Sequence, residues 1–433
     1  MVESNFIINE SKPLLGNVNI PGDKSITHRA IMLSSLSSDS LVISNALLAE
    51  DCLKTIASFS ELGVKITHND NNLKVCGNGL LSLTKPKKIL DCGNSGTLAR
   101  LMAGILSVQK FESTISGDDS LSYRPMDRII KPLEEIGSKI SSKKNLLPIT
   151  FYPQTSLKPI NYINDIASAQ IKSCLILAAL FISGKSSIYE TTKTRDHTER
   201  LLEFLEYPIK VQENNITILG QGKLIARDIY IPSDFSSASF FIIAALIKPG
   251  SNLDLKNIGI NKYRTGLIDV LIKMGASIKL ANKRDLSNEP IADINIKYSK
   301  LKPINISGTI ISRMIDELPI LFIACALCEG ESIISDISEL RVKESDRIES
   351  MENGLRAIGI DVTSTEDSIS IKGGSFKGGI IDSNHDHRIA MSFIVAGLVS
   401  QKPITVLNAK NIATSFPGFI NILKKMGVEI YKV

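Results

Sequence analysis

The strongest constraint on this chain is an internal repeat of about seventy residues, because such a period means one supersecondary unit copied along the chain. Six segments share a helical apolar pattern rich in small residues: ITHRAIMLSSL, GTLARLMAGIL, AQIKSCLILAAL, SASFFIIAAL, LPILFIACAL and HRIAMSFIVAGL. They end at Leu36, Leu106, Leu180, Leu246, Leu327 and Leu398. A polar turn and a β-like run follow each, as in SLVISNA, STISG, SSIYET, NLDLKNI, SIISDI and PITVLNA. A second helix comes next and ends on glycine in five copies. ELGVKI, EIGSKI, KMGASI, AIGIDV and KMGVEI place Gly63, Gly137, Gly275, Gly359 and Gly427 where a left-handed helix exit is expected. The third copy reads EYPIKV, and there Pro208 is the predicted stop, by removing a backbone donor. The first helix of each unit is apolar nearly all round and should be buried. The second carries one stripe, for example Ile348, Met351, Leu355 and Ile358, and should be half exposed. Helices inside and sheets outside is the implied layering.

Six units divide into two domains of three. Two similar turns mark the crossings, IPGDKS at Ile20–Ser25 and IPSDFS at Ile231–Ser236. The expected lobes are residues 22–234, and residues 1–21 with 235–433, with a cleft between them as the place for a ligand. A chain of 433 residues, 43% hydrophobic and 22% charged, can fill two such cores. Its net charge of +5 suits small anions better than a nucleic acid, which is excluded as main partner. The longest apolar run, Leu318–Cys328, falls short of the roughly 18–20 residues of a membrane span, so no membrane partner is expected. MVESNFIINE lacks the basic and apolar stretches of a leader, which points to the cytoplasm. Six scattered cysteines read as reduced thiols, Cys325 and Cys328 as core residues.

Several charged residues sit where helices should begin. Asp23-Lys24-Ser25-Ile26-Thr27-His28-Arg29 opens the first helix, with Ser25 the predicted N-cap and Lys24 and Arg29 placed to meet an anion. Gly93-Asn94-Ser95-Gly96-Thr97 opens the second, and Gly96 would let a ligand approach the backbone closely. The GKS at Gly184–Ser186 is no phosphate loop, because position 179 holds Ala. Arg124 precedes a proline and belongs on a turn. Arg347 and Arg388 fall at helix starts, where a cation opposes the helix dipole unless an anion lies between. Asp316 is the expected N-cap of DELPIL. Glu344 lies between Lys343 and Ser345, the expected cap of the next helix. Each of these, taken singly, is equally a capped helix or a surface ion pair. His385 and His387 flank Asp386 without a third clear ligand, so no metal is expected.

Taken in order, PGDKSITHRA, GNSGT, YRPMDR, SAQIKS, TRDHTER, DELPIL, RVKESDR, NHDHRIAM and ATSFP resemble the 5-enolpyruvylshikimate-3-phosphate synthase family over nearly the whole chain. The resemblance implies an α/β fold, the two-domain inside-out α/β barrel with three βαβαββ-type repeats per domain (the enolpyruvyl transferase fold). It implies transfer of the enolpyruvyl group of phosphoenolpyruvate to the 5-hydroxyl of shikimate 3-phosphate, with release of phosphate, on the route to chorismate and aromatic amino acids. No cofactor and a monomer are expected. Carried over by resemblance, Lys24, Ser25, Arg29, Ser168, Ala169, Gln170, Arg195, Asp316 and Lys343 would bind shikimate 3-phosphate. Lys24, Asn94, Gly96, Arg124, Gln170, Arg347 and Arg388 would meet phosphoenolpyruvate. Asp316 would serve the hydroxyl, Glu344 the methylene, and Lys24 the bridging oxygen. Thr414 stands where many members carry lysine, and ATSFP, SAQIKS and TRDHTER resemble the branch called class II. Open space at Gly96 implies that glyphosate competes with phosphoenolpyruvate. The related UDP-N-acetylglucosamine enolpyruvyl transferases would carry a loop cysteine, and Phe111–Pro125 has none. A non-catalytic repeat scaffold would leave the charged helix starts without a purpose.

Overall fold

The computed structural model describes residues 4–433, whose strands form six four-stranded sheets. Each sheet repeats one plan. Leu90–Asp91 and Ser113–Ser116 run parallel and flank the helix Gly96–Leu106; Ile149–Phe151 then pairs antiparallel with Ser113–Ser116 and with Ile140–Ser142. A parallel pair needs a crossover, and the buried helix supplies it. The helices Ala169–Ala179, Leu318–Cys325 and His387–Gly397 are flanked by parallel strands in the same way. In the last sheet Phe6–Ile8 lies between Ile404–Leu407 and Ile430–Lys432, so the two ends of the chain complete one copy.

Two compact units result. One comprises the residues up to Pro21 with Ser233–Arg284 and Pro290–Val433, the other Gly22–Pro232 with Asp285–Glu289. At each crossing the strand before the helix stays in its own unit. Leu15–Val18 is parallel to Asn252–Gly259, and Ile229–Tyr230 to Ser40–Ser44. The linkers are held by matching bonds inside each unit: Asp234 N–H donates to the Pro21 carbonyl and Asp23 N–H to that of Pro232, each at 2.8 Å.

The first helix of each copy is sheathed as its composition requires. Every residue of Phe235–Ile247 and of Leu318–Cys325 is buried. Gly104 lets the helices Gly96–Leu106 and Ala169–Ala179 touch, since a methyl group there would stand 2.8 Å from the Cys174 carbonyl carbon. Burial pushes the Cys325 thiol up to about 12 and that of Cys328 to about 11, so both are unreactive core thiols. The second helices show one buried stripe; Asp127–Glu135 covers Ile129, Ile130 and Leu133 and exposes Lys131, Glu134 and Glu135. No helix among the described residues is long and apolar enough to cross a membrane.

The six second helices end alike, and here one expectation is corrected. Gly63, Gly137, Gly275, Gly359 and Gly427 all have φ between 85° and 102°. Each donates to a carbonyl three residues back, and the next residue to one five back, as in Gly63 to Ser60 and Val64 to Phe59. The third copy makes the same two bonds, Glu206 to Glu203 and Tyr207 to Leu202, with Glu206 left-handed at φ 54°. Pro208 is therefore not the stop; it follows a turn already closed by backbone bonds. Around Gly427 a Cβ would meet nothing within 4 Å, so alanine there strains only the backbone. Gly427→Ala should cost about 1–2 kcal/mol in urea denaturation, whereas Glu206→Gly should not destabilise.

Candidate functional site

In the unit built from Gly22–Pro232, the helix Lys24–Ser35 is capped by Asp23, whose carboxylate accepts from Ile26 N–H at 2.9 Å. Ser25 is not the cap, because the chain turns helical at Lys24 and the acceptor must stand before it. Lys24 Nζ lies 3.1 Å from Asp51 Oδ2. His28 is fully buried between Thr55, 2.6 Å from Nδ1, and Ser95, 3.5 Å from Nε2. Burial first, then the charges of Lys24 and Arg29, hold its pKa well below the usual value, so it stays neutral. Arg29 is buried too. Its guanidinium donates to Thr198 Oγ1 at 2.7 Å, Ser173 Oγ at 2.8 Å and the Ser25 carbonyl at 2.9 Å.

The GNSGT turn is anchored beside it. Ser95 caps the helix Gly96–Leu106 by accepting from Leu98 N–H. Asn94 bridges Asp118, to which it donates at 2.8 Å, and Arg124, from which its side-chain oxygen accepts at 2.7 Å. Arg124 also donates to Ser120 Oγ at 3.2 Å, and lies in the bend expected before Pro125. Arg100 donates to Gln170 Oε1 at 2.9 Å and to the Pro125 carbonyl at 3.2 Å; Gln170 donates to Thr97 Oγ1 at 3.2 Å. A methyl group on Gly96 would stand 3.0 Å from Arg100 Nη1 and 3.3 Å from Arg124 Nη1, so the absence of a side chain there leaves two guanidinium groups undisturbed. Ser168 and Ala169 begin the helix that carries Gln170, and Arg195 lies in the loop before His197–Phe204. Lys24, Ser25 and Arg29 thus share one helix start, Arg124 bonds Asn94 beside Gly96, Gln170 bonds Thr97 on the helix that Gly96 begins, and the loop of Arg195 leads into the helix whose Thr198 receives Arg29.

The other unit holds a tighter charge cluster. Arg347, 1% exposed, is the first residue of the helix Arg347–Ala357. Its Nε donates to Asp386 at 2.8 Å, its Nη2 pairs with Glu344, and its Nη1 lies 3.6 Å from Asp316. Burial opposes the charge, yet Asp386, Glu344 and Asp316 overcome it and raise the guanidinium pKa further. Arg388 donates to the Asp316 carbonyl at 2.8 Å and lies 3.8 Å from Asp316 Oδ2. Loss of solvent, with Arg347 adding to it, lowers the Lys343 pKa against the pull of Asp316, Glu339 and Glu344. The anion expected at these two helix starts is a protein carboxylate: Asp386 caps His387–Gly397 through Arg388 N–H and binds Arg347 as well. Removing one partner of such a buried pair costs about 3–5 kcal/mol, which explains why the cluster is charge-balanced.

Two more caps differ from expectation. Asp346, not Ser345, caps Arg347–Ala357, and the Ser345 hydroxyl turns to Asp386 at 3.2 Å. Glu317, not Asp316, holds the cap position of Leu318–Cys325, which leaves the Asp316 side chain to the two arginines. Thr414 closes its own turn by donating to the Asn411 carbonyl and brings no cation. The sequence reading missed Asp51, Arg100, Asp118, Ser173, Thr198 and Asp386 as partners. Only Arg100, one helical turn after Gly96, carried a local signal.

Residues 8–423 match the family model of EPSP synthase (3-phosphoshikimate 1-carboxyvinyltransferase). The 3-phosphoshikimate 1-carboxyvinyltransferase of Ruthia magnifica is 46% identical over 429 residues, 99% of each chain. That of Methylococcus capsulatus is 45% identical over 417 residues, 96% of this chain and 95% of the other. A solved EPSP synthase from Acinetobacter baumannii superposes with a TM-score of 0.88 at 43% identity, covering 99% of this chain and 100% of that one. With a match running from the first strand to the last helix, the chain belongs to the EPSP synthase, or 3-phosphoshikimate 1-carboxyvinyltransferase, family.

Proposed function

We infer that this chain carries out the reaction its family is named for, moving the enolpyruvyl group of phosphoenolpyruvate to the 5-hydroxyl of shikimate 3-phosphate. One observation carries the reading of its chemistry: Asp316 and Glu344 both face the single guanidinium of Arg347, with Arg388 alongside. The reaction needs two proton carriers and a cationic holder for a departing phosphate. The hydroxyl loses a proton as its oxygen adds to the central carbon of phosphoenolpyruvate, while the methylene gains a proton and becomes a methyl group. That group then gives the proton back as the carbon–phosphate bond breaks and the double bond re-forms. Asp316 serves the hydroxyl, Glu344 the methylene, and Lys24 the bridging oxygen.

Shikimate 3-phosphate is held by Lys24, Ser25, Arg29, Ser168, Ala169, Gln170 and Arg195, with Asp316 and Lys343. Phosphoenolpyruvate is held by Lys24, Asn94, Gly96, Arg124, Gln170, Arg347 and Arg388. What supports this assignment is the bond of Arg124 to Asn94, that of Gln170 to Thr97 next to Gly96, and the hold of Asp316 on both Arg347 and Arg388. An incoming anion exchanges with the carboxylates for the same guanidinium donors, so substrate binding frees Asp316 and Glu344 for proton transfer.

Incubation with both substrates should release inorganic phosphate. Asp316→Ala should lower kcat by roughly a hundredfold to ten-thousandfold with much smaller changes in KM, and wild-type turnover in that variant would overturn the role. Gly96→Ala should raise the KM for phosphoenolpyruvate and weaken inhibition by glyphosate, because the methyl group displaces Arg100 and Arg124; an inhibition assay at limiting phosphoenolpyruvate reads both. Lys343 loses its charge as pH rises through a lowered pKa, so kcat/KM for shikimate 3-phosphate should fall on the alkaline side. Lys343→Arg, which stays protonated, should shift that fall to higher pH in the pH–rate profile.

A further inference from the structure

A second buried charge cluster lies directly behind the residues proposed for shikimate 3-phosphate. Lys172 is 0% exposed, two positions after Gln170 on the helix Ala169–Ala179. Its ammonium donates to Glu199 at 2.7 Å, Glu190 at 3.0 Å and the Thr194 carbonyl at 3.4 Å. Burial opposes the charge, but the two carboxylates outweigh it and raise the Lys172 pKa, so the proton stays. Glu190 ends the strand Lys185–Glu190, and its other oxygen accepts from Thr194 N–H at 3.2 Å and Oγ1 at 2.5 Å. Thr194 is the residue before Arg195.

The cluster is stacked on the bonds that hold Arg29. Ser173 follows Lys172 in the chain and Thr198 precedes Glu199. Those two hydroxyls bond each other at 2.8 Å and both accept from Arg29. Three elements are thereby tied together: the helix at Lys172 and Ser173, the loop with Arg195, and the helix with Arg29. An ion triad is a poor way to fill a core, since apolar groups of the same volume serve stability as well or better. Its directed bonds do what apolar packing cannot: they fix where each backbone stands to within a hydrogen-bond length.

We propose that Lys172 is a positioning residue for shikimate 3-phosphate: through Glu190 and Thr194 it sets the place of Arg195, and through Glu199 that of the Thr198 hydroxyl under Arg29. The proposal rests on the reading that Arg29 and Arg195 bind that substrate. Lys172 itself touches no reacting group, so the signature is a split between the two substrates.

Steady-state kinetics of Lys172→Met should show a KM for shikimate 3-phosphate raised by about tenfold or more, the scale of one misplaced charge-assisted hydrogen bond, with kcat and the KM for phosphoenolpyruvate nearly unchanged. That variant leaves two buried carboxylates without their cation and can fail to fold, so Thr194→Val, which removes one hydroxyl from Glu190, is measured with it. It should show the same split to a smaller degree, and Thr194→Ser should restore the wild-type KM. An unchanged KM for shikimate 3-phosphate in Thr194→Val, or both KM values rising together, overturns the proposal. Arg195→Ala separates the two levels. A raised KM there without any effect in the Lys172 and Thr194 variants refutes the positioning role alone, whereas no effect in Arg195→Ala refutes the substrate assignment beneath it.

Discussion

Six helices with no polar face must be enclosed by protein on every side, and the rest of the architecture follows from that burial. Each large apolar side chain removed from water contributes about 1.5–3 kcal/mol. Leaving one face of Phe235–Ile247 wet would therefore forfeit several such terms, comparable with the whole net stability of a domain, about 5–15 kcal/mol. Sheets are the cover. Each one buries alternate residues against a helix and turns the others outward: in Glu331–Ser335 the buried positions are Ser332 and Ile334 and the exposed ones Glu331 and Ile333.

The same burial explains where chemistry can sit. A helix apolar along its length offers polar groups only at its ends, and the free N–H groups at its start favour anions. Lys24, Gly96, Gln170, Asp316 and Arg388 all lie within two residues of the start of a buried helix, and Arg195 and Arg347 within two of the start of a half-exposed one. Cations at such ends need compensation. Asp386 supplies it for Arg347 and Asp316 for Arg388, and neutral hydroxyls from Ser173 and Thr198 receive Arg29. The contrast matters for function, because a guanidinium paired with carboxylates must exchange partners to take a substrate, while hydroxyls orient a guanidinium without cancelling its charge.

The repeat has a further consequence for tolerance to change. Equivalent positions in different copies carry different duties: the glycine of the helix exit supplies a left-handed backbone, with close packing against Thr84 at Gly63 and Lys377 at Gly359, and Glu206 replaces it in one copy at the cost of a left-handed non-glycine residue. Helix-start positions are not interchangeable in this way. Asp23 and Asp234 both cap their helices, yet Lys24 and Phe235 follow them, one paired with Asp51 and the other buried in an apolar core.

Amino-acid order alone determined the period, the identity of the six buried helices, the strands after them and five of the helix exits. All of these rest on neighbours within a few turns of chain, where apolar spacing and glycine act directly. The family, and with it the candidate site residues, was legible from nine short motifs. Only the folded chain decided the partners. Arg347 reaches Asp386 across 39 residues, Arg388 reaches Asp316 across 72, and Arg29 reaches Ser173 and Thr198 across 144 and 169. Caps went to Asp23 and Asp346 instead of neighbouring serines because the helix begins where tertiary packing starts it, and that packing is assembled from copies far apart in the chain.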